Sequence, residues 1–159
     1  MAIRFTERPP ETLVGRRLAK TAFGVYAGNG ETSNSWDRSK VEAWDWIGSH
    51  GEFYNRMLIT SAFPEARIKH RVDSTPAMHS MARHGLGVAV LPCYTADRDP
   101  GLRRILPEPL SEGMPDLWIL HHSDLRSVSR VSLFAEFISD AIISDLDLFE
   151  GRRPQNLDG

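Results

Sequence analysis

Residues 66–92 decide the fold. They read Ala66-Arg-Ile-Lys-His-Arg-Val72, then Asp73-Ser74-Thr75-Pro76, then Ala77-Met78-His79-Ser80-Met81-Ala82-Arg83-His84, then Gly85-Leu86-Gly87 and Val88-Ala89-Val90-Leu91-Pro92. The first piece alternates and predicts a strand with Ile68 and Val72 on its apolar side. Ser74-Thr75-Pro76 predicts a helix start: a hydroxyl cap, then Pro where the amide hydrogen is not needed. Ala77, Met78, Met81 and Ala82 form an apolar stripe at helical spacing, and Gly85 supplies a left-handed stop. Val88 to Leu91 is continuously apolar, which predicts a strand buried on both faces and ended by Pro92. Strand 66–72, helix 75–84 and strand 87–91 make a β-α-β crossover, so the sheet is parallel there.

Toward the N-terminus, Ala2-Ile3-Arg4-Phe5-Thr6 alternates like a short strand that Pro9-Pro10 closes off. Leu13 to Leu18 and Ala22 to Ala27 are two more strand candidates, the latter broken at Gly28-Asn29-Gly30. A polar stretch follows, with a short helix expected around Arg38 to Ala43. Trp44-Asp45-Trp46-Ile47-Gly48 reads as a strand. Residues 52–62 fit either period, because Phe53, Tyr54, Met57, Leu58 and Ile59 satisfy both. Toward the C-terminus, residues 93–115 are rich in Pro and charge and predict a connection with one short strand near Leu102 to Leu106. Leu117 to His121 is a strand, and Ser127 to Ile143 an amphipathic helix with Val131, Phe134, Ala135, Ile138 and Ile142 as its stripe. Residues 151–159 predict a frayed tail. Strands alternating with helices mean α/β.

Composition sets the outer limits. With 159 residues, 41% of them hydrophobic, the chain is one domain or one domain of two small lobes, long enough for a core without staples. A formal charge of −2 argues against this chain alone holding nucleic acid through phosphate contacts. The single Cys93 cannot close an internal disulfide and points to a reducing cytoplasm. The first ten residues carry no apolar signal core, and no run of 18 apolar residues is present to span a membrane. Charge is uneven: residues 1–20 are mostly basic, and residues 136–150 hold five acids with no base. A contact between these two segments is one reading; two solvated faces is the other.

The six histidines are placed at spacings that fit no metal motif. His79 and His84 are five apart on a helix, and His121 and His122, adjacent on a strand, point to opposite faces. Cys93 follows a buried strand end but has no Gly-rich elbow around it, which favours a packing cysteine over a nucleophile. Gly85-Leu86-Gly87 follows a helix rather than opening one and is not a phosphate cradle. Asp73 reads as a strand end rather than a base. Two features favour small-anion binding instead. Arg4 and Thr6 end the opening strand, and arginine grips a carboxylate in two parallel hydrogen bonds. Ser74 and Thr75 open a helix, where free amide hydrogens and the dipole favour negative charge. For each pair the alternative is a solvated edge arginine or a plain cap.

The order of these pieces resembles the effector-binding domain of LysR-type transcriptional regulators. Ala66 to Ser74, then Met81 to Pro92 with its Gly-Leu-Gly-Val-Ala-Val-Leu-Pro, carry the most specific part. Leu117 to Asp124, Arg130 to Ile138, Ala2-Ile3-Arg4 and Leu13 to Leu18 extend it, so that it covers roughly residues 1–143. The resemblance implies an α/β fold of the type II periplasmic-binding-protein kind: two lobes joined by crossing strands, with a small molecule in the cleft. It implies a partial first lobe from residues 1–20 and 116–145, a second lobe from 21–115, and a tail from 146. It places Arg4 and Thr6 on one wall of the cleft and Ser74, Thr75 and Pro76 on the other, with Ser49, after strand 44–48, as a further candidate.

Family members carry a helix-turn-helix head and the opening strands of the first lobe ahead of the segment where this chain starts. The expectation is therefore an N-terminally truncated domain whose helix 127–143 lacks part of its sheet, leaving Phe134, Ile138 and Ile142 wet. The function implied is sensing of a small anionic metabolite, not catalysis. It would involve no metal or cofactor, a homodimer or higher oligomer, and DNA reached only through a domain outside this chain. Two rivals stand beside it: a stand-alone binding or inhibitory module that pairs with intact regulators, and a small α/β enzyme using Cys93 or the histidines.

Overall fold

The computed structural model describes residues 1–30, 38–51, 55–125 and 128–152. Among the described residues eight strands form two sheets. Strands β1 (Ala2–Thr6), β2 (Leu13–Ala19) and β8 (Asp116–His122) make a three-stranded antiparallel sheet in the order β1-β8-β2. Strands β3 (Phe23–Gly28), β4 (Asp45–Gly48), β5 (Arg67–Arg71), β6 (Val88–Pro92) and β7 (Leu102–Arg104) make a five-stranded sheet in the order β5-β4-β6-β3-β7. Among the described residues four α-helices complete the fold: α1 (Thr75–Arg83), α2 (Cys93–Ala96), α3 (Ser129–Ser144) and α4 (Leu146–Phe149). Among the described residues no helix is long and apolar enough to cross a membrane.

The β5-α1-β6 crossover forms as the sequence predicts. Both strands lie parallel to β4, which they flank. Helix α1 starts at Thr75 with Pro in its first turn and stops at Gly85, whose φ of 77° is the left-handed conformation glycine adopts without strain. Leu86 N then donates to Met81 O, closing the end. Met78 and Ala82 are buried against Tyr26, Ile47, Ala89 and Leu91. Gly87 is required by space: a Cβ there would lie 2.3 Å from the Asp45 carbonyl oxygen. Every residue of β6 is buried, as expected of a central strand covered on both faces. The other face packs Trp46, Val88 and Val90 against Trp44, Leu58 and Ile59.

The alternation expected of strand 66–72 fails at one point. The register of β5 on β4 runs Trp46 to Ile68, then Ile47 to His70, so Lys69 is an extra residue. A bulge reverses which face the following side chains take. Ile68 therefore packs in the cluster of Trp46, and Val72 in the opposite cluster of Met78 and Leu91. The two residues do not share an apolar side.

Residues 19–23 and 105–116 carry the chain between the sheets and lie side by side. Thr21 donates its hydroxyl to Pro115 O, Phe23 bridges Leu110, and Ile105 N donates to Val25 O at 2.8 Å. Helix α3 covers the three-stranded sheet with Ala135, Ile138, Ile142 and the buried Ser139, packed on Leu18, Ala19, Leu117 and Ile119. This corrects the expected wet stripe. Ile138 and Ile142 are partly buried, whereas Phe134 is exposed along with Leu133 and Phe137. The stripe lies one position further round the helix, centred on Ser139, which receives a hydrogen bond from Arg16 Nε at 2.9 Å. The basic and acidic segments meet through that bond. Among the described residues no ion pair joins residues 1–20 to residues 136–150, and Arg17 pairs with Asp116 instead.

The expected tail starts as an ordered turn. Phe149 O accepts from Ala22 N at 2.9 Å, and its ring stacks on Tyr94 at 4.8 Å. Tyr94 in turn stacks on Phe5 of β1 at 6.2 Å. Gly151 is buried, so residues 151 and 152 are not frayed. Residues 153–159 of the predicted tail, Ser127 of the predicted helix, and Phe53 and Tyr54 lie outside the described residues.

Candidate functional site

The carboxyl ends of β4 and β5 meet around Ser49. Strand β4 ends at Gly48, and a Cβ there would lie 2.4 Å from Asn55 Oδ1. That lack of a side chain lets Asn55 fold back and clamp the Ser49 peptide on both sides. Ser49 N donates to Asn55 Oδ1 at 2.8 Å, and Asn55 Nδ2 donates to Ser49 O at 2.7 Å. Arg71 Nη1 also donates to Ser49 O, at 3.0 Å. The Ser49 hydroxyl donates to Asp73 Oδ1 at 2.5 Å and accepts from Gly51 N at 3.0 Å.

Asp73 is the other half of the junction. It accepts from His50 N at 2.8 Å, and its second oxygen faces His50 Nδ1 at 3.1 Å. The Ser49 hydroxyl, and after it the His50 amide, hold its carboxyl below the usual carboxylate range. Asp73 does follow the end of β5, as read from the sequence, but it also ties β5 to β4. Nothing local in the sequence announces this, because Ser49 and Asp73 are 24 residues apart and meet only through parallel strand pairing.

Ser74, Thr75 and Pro76 follow at once, all exposed at the start of α1. Ser74 holds the N-cap position with extended backbone (φ −129°, ψ 116°), but its hydroxyl makes no capping bond. The expected hydroxyl cap is therefore absent, and the first amides of α1 are left without it. Arg4 is exposed on β1, opposite Trp118. The Thr6 hydroxyl donates to Arg8 O at 2.8 Å and so closes the turn after β1. Among the described residues no hydrogen bond or ion pair joins Arg4 or Thr6 to Ser74, Thr75 or Pro76. The fold thus brings Ser49 to the start of α1 through Asp73, and leaves Arg4 and Thr6 on the other sheet.

Among the described residues, cavities flank the five-stranded sheet. One of about 430 Å³ is lined by His50, Asn55, Arg56, Thr60, Ile68 and Arg71. Another of about 550 Å³ lies between the turn at Met57 to Ala62 and the loop Pro109 to Met114. None of the six residues singled out from the sequence lines either one.

Residues with reactive side chains are placed for structure. Cys93 is buried, and burial pushes its thiol up to about 11. Beside it, Arg104 and Asp97 form an ion pair that is 1% exposed on each side. The Tyr26 hydroxyl donates to Asp97 at 2.8 Å and accepts from Arg104 Nε at 3.3 Å. Burial raises the Tyr26 hydroxyl far above its ordinary value and raises the Asp97 carboxyl as well. Among the described residues no group of three or more His, Cys, Asp or Glu could hold a metal ion.

A family model described as the LysR substrate binding domain matches residues 1–142. No curated protein sequence matches the chain. Among solved structures, the effector domain of the transcriptional regulator AmpR of Pseudomonas aeruginosa is similar, with a TM-score of 0.71 and 18% identity over 91% of this chain and 71% of that one. The regulatory domain of CrgA, a LysR-type transcriptional regulator from Neisseria meningitidis, gives a TM-score of 0.70 at 18% identity over 91% of this chain and 74% of that one. Against the CrgA structure of greater length the TM-score is 0.72 at 17% identity, over 88% of this chain and 51% of that one. Such domains have the type II periplasmic-binding-protein-like fold, and the two sheets joined by crossing segments match it.

Proposed function

The chain belongs to the family of LysR substrate-binding domains, and on that premise we propose that it senses a small anionic metabolite between its two sheets and passes occupancy on to transcription. In this reading residues 1–20 and 116–145 form one lobe and residues 21–115 the other. The ligand meets the start of α1 on the second lobe, where Ser74 and Thr75 offer hydroxyls and amide hydrogens at the positive end of a helix. Arg4 and Thr6 face it from β1. The observation that carries the reading is the uncapped start of α1. Its exposed Ser74-Thr75-Pro76 is held in place by the Ser49–Asp73 junction rather than by a cap of its own.

Binding acts by population shift. A ligand that touches both lobes favours the closed arrangement by its differential affinity, and the crossing segments at 19–23 and 105–116 absorb the rotation. No step in this reading needs a nucleophile, a metal or a cofactor, and the role is regulatory rather than catalytic. DNA contact is left to a separate domain of the regulator, and the working form is a dimer or higher oligomer.

The test is a thermal-shift screen of the chain over small organic acids, followed by affinity measurements on Arg4→Ala and Thr75→Ala. Losing one charge-assisted bond to an anion costs on the order of 1.5–3 kcal/mol, roughly ten- to a hundredfold in affinity. Weaker binding in both variants supports the two-lobed cleft. Unchanged affinity in both places the site elsewhere and removes this reading.

A further inference from the structure

We propose that the cavity walled by His50, Asn55, Arg56, Thr60, Ile68 and Arg71 is a second ligand pocket, built for a small molecule that carries an oxyanion, a carboxylate or a phosphate, on a compact apolar body. The pocket lies within the five-stranded sheet's own lobe, and none of Ser74, Thr75, Pro76, Arg4 or Thr6 lines it. At about 430 Å³ it is within the size range of small-molecule sites.

Among the described residues its wall is chemically one-sided. Arg56 and Arg71 have no carboxylate partner among the described residues, whereas Arg17, Arg83, Arg98 and Arg104 each have one and Arg152 has two. His50 adds a third nitrogen-bearing group. Among the described residues no acid lines the pocket. The acid beside it, Asp73, is already engaged by the Ser49 hydroxyl and the His50 amide, and its second oxygen faces the His50 ring at 3.1 Å. The Thr60 hydroxyl has no hydrogen-bond partner among the described residues, and Ile68 supplies an apolar surface continuous with the Trp46 cluster. Two guanidinium forks with a hydroxyl and an amide nearby form a donor set matched to a planar or tetrahedral oxyanion.

Two local features open the pocket. Residues Asn55–Thr60 form a π turn, with Ser61 N donating to Arg56 O five residues back, and the extra residue widens the turn. The bulge at Lys69 puts Ile68 and Arg71 on the same side of β5, where alternation without it would separate them. The pocket also touches the junction described above. Arg71 reaches into it while donating to Ser49 O, and Ser49 carries the hydroxyl that holds Asp73. An anion here therefore acts on the start of α1 through Arg71 and Ser49, without touching α1.

The experiment is an NMR titration of the 159-residue chain, backbone amides assigned, with inorganic phosphate and separately with benzoate, each against sodium chloride at matched ionic strength. We expect saturable shifts at His50, Asn55, Arg56 and Arg71 with at least one of the two anions. Saturation by benzoate alone assigns a carboxylate, by phosphate alone a phosphate, and either supports the pocket. Arg56→Ala, which breaks no internal hydrogen bond, should weaken that binding roughly ten- to a hundredfold. Arg71→Lys, which keeps the charge but loses the fork, should weaken it as well. Shifts confined to Arg4, Thr6, Ser74 and Thr75 would overturn this pocket while leaving the cleft of the proposed function standing. Shifts that stay linear for both anions, or that are the same in Arg56→Ala, would also overturn it.

Discussion

Arg104 and Gly151 are 47 residues apart, and the Arg104 Nη1 donates to the Gly151 carbonyl at 2.8 Å inside the protein. The same guanidinium neutralises Asp97 and donates to the Tyr26 hydroxyl. One buried charge thus holds strand β7, helix α2 and the end of α4 together. Removing one partner of such a pair strands the other without compensation. We expect Asp97→Asn and Arg104→Met each to cost about 3–5 kcal/mol, read as a lower urea midpoint. The double variant should recover part of that loss, because no unpaired charge is then left inside.

Gly87 and Gly113 both have positive φ, but only Gly87 is short of space. A Cβ on Gly87 would meet the Asp45 carbonyl at 2.3 Å, whereas nothing lies within 4 Å of one on Gly113. Gly113→Ala should cost about 1–2 kcal/mol from backbone strain alone. Gly87→Ala should cost clearly more, on the order of 3 kcal/mol or above, because β4 must move. Equal melting temperatures for the two variants would contradict the close approach.

Cys93 should resist thiol reagents in the folded protein. With its thiol pushed up to about 11 and its surface buried, roughly one molecule in a thousand is a thiolate at pH 8. Labelling should follow global opening and accelerate with urea in step with unfolding. Fast labelling without denaturant would mean that α2 opens on its own.

The Ser49–Asp73 bond gives the protein a dependence on acid. Asp73 has a lowered folded pKa, so its contribution is fully present above the ordinary carboxylate value of about 3.9. It is lost as pH falls through the folded value. Asp73→Asn should therefore be less stable than the parent at neutral pH and should converge with it once the pH falls below the folded value. Parallel stability curves over the whole range would show that the bond carries no net weight.

The exposed Leu133, Phe134 and Phe137 of α3 predict self-association. Phe137 is 69% exposed, so Phe137→Glu should change stability by less than about 0.5 kcal/mol. Sedimentation at high micromolar concentration should show oligomers for the parent chain and a shift toward monomer for the variant. A clean monomer for the parent would sink the prediction.

What the sequence made legible was local. Helix α1 can be read because its start at Ser74, its stripe and its stop at Gly85 lie within twelve residues, and β6 because four apolar residues in a row closed by Pro92 admit few other readings. The face taken by Val72 cannot, since a bulge depends on how β5 pairs with β4 and leaves no mark in β5 itself. Phe134 falls in the predicted stripe because the apolar residues of α3 nearly encircle the helix, and periodicity then cannot choose a face. The choice of Ser49 came from its position after a strand. Its partners Asn55, Arg71 and Asp73, and the pocket beside them, come from tertiary pairing that only the fold supplies.

The ring of Phe5 is flanked in sequence by Arg4 and Thr6, and it stacks on Tyr94, which stacks on Phe149. Strand β1 is thus geared to the far end of the chain by three aromatic plates, and Arg104 anchors the last of them two residues later. Flat rings slide over one another at little cost but resist separation, since parting them exposes both faces to water. For a movement of β1 against the five-stranded sheet, as the proposed function requires, the stack favours a shearing path over a gaping one. The three-stranded sheet is coupled to the five-stranded one like plates in a clutch, through a stack that runs from Phe5 by way of Tyr94 to Phe149, next to the Arg104 anchor at Gly151.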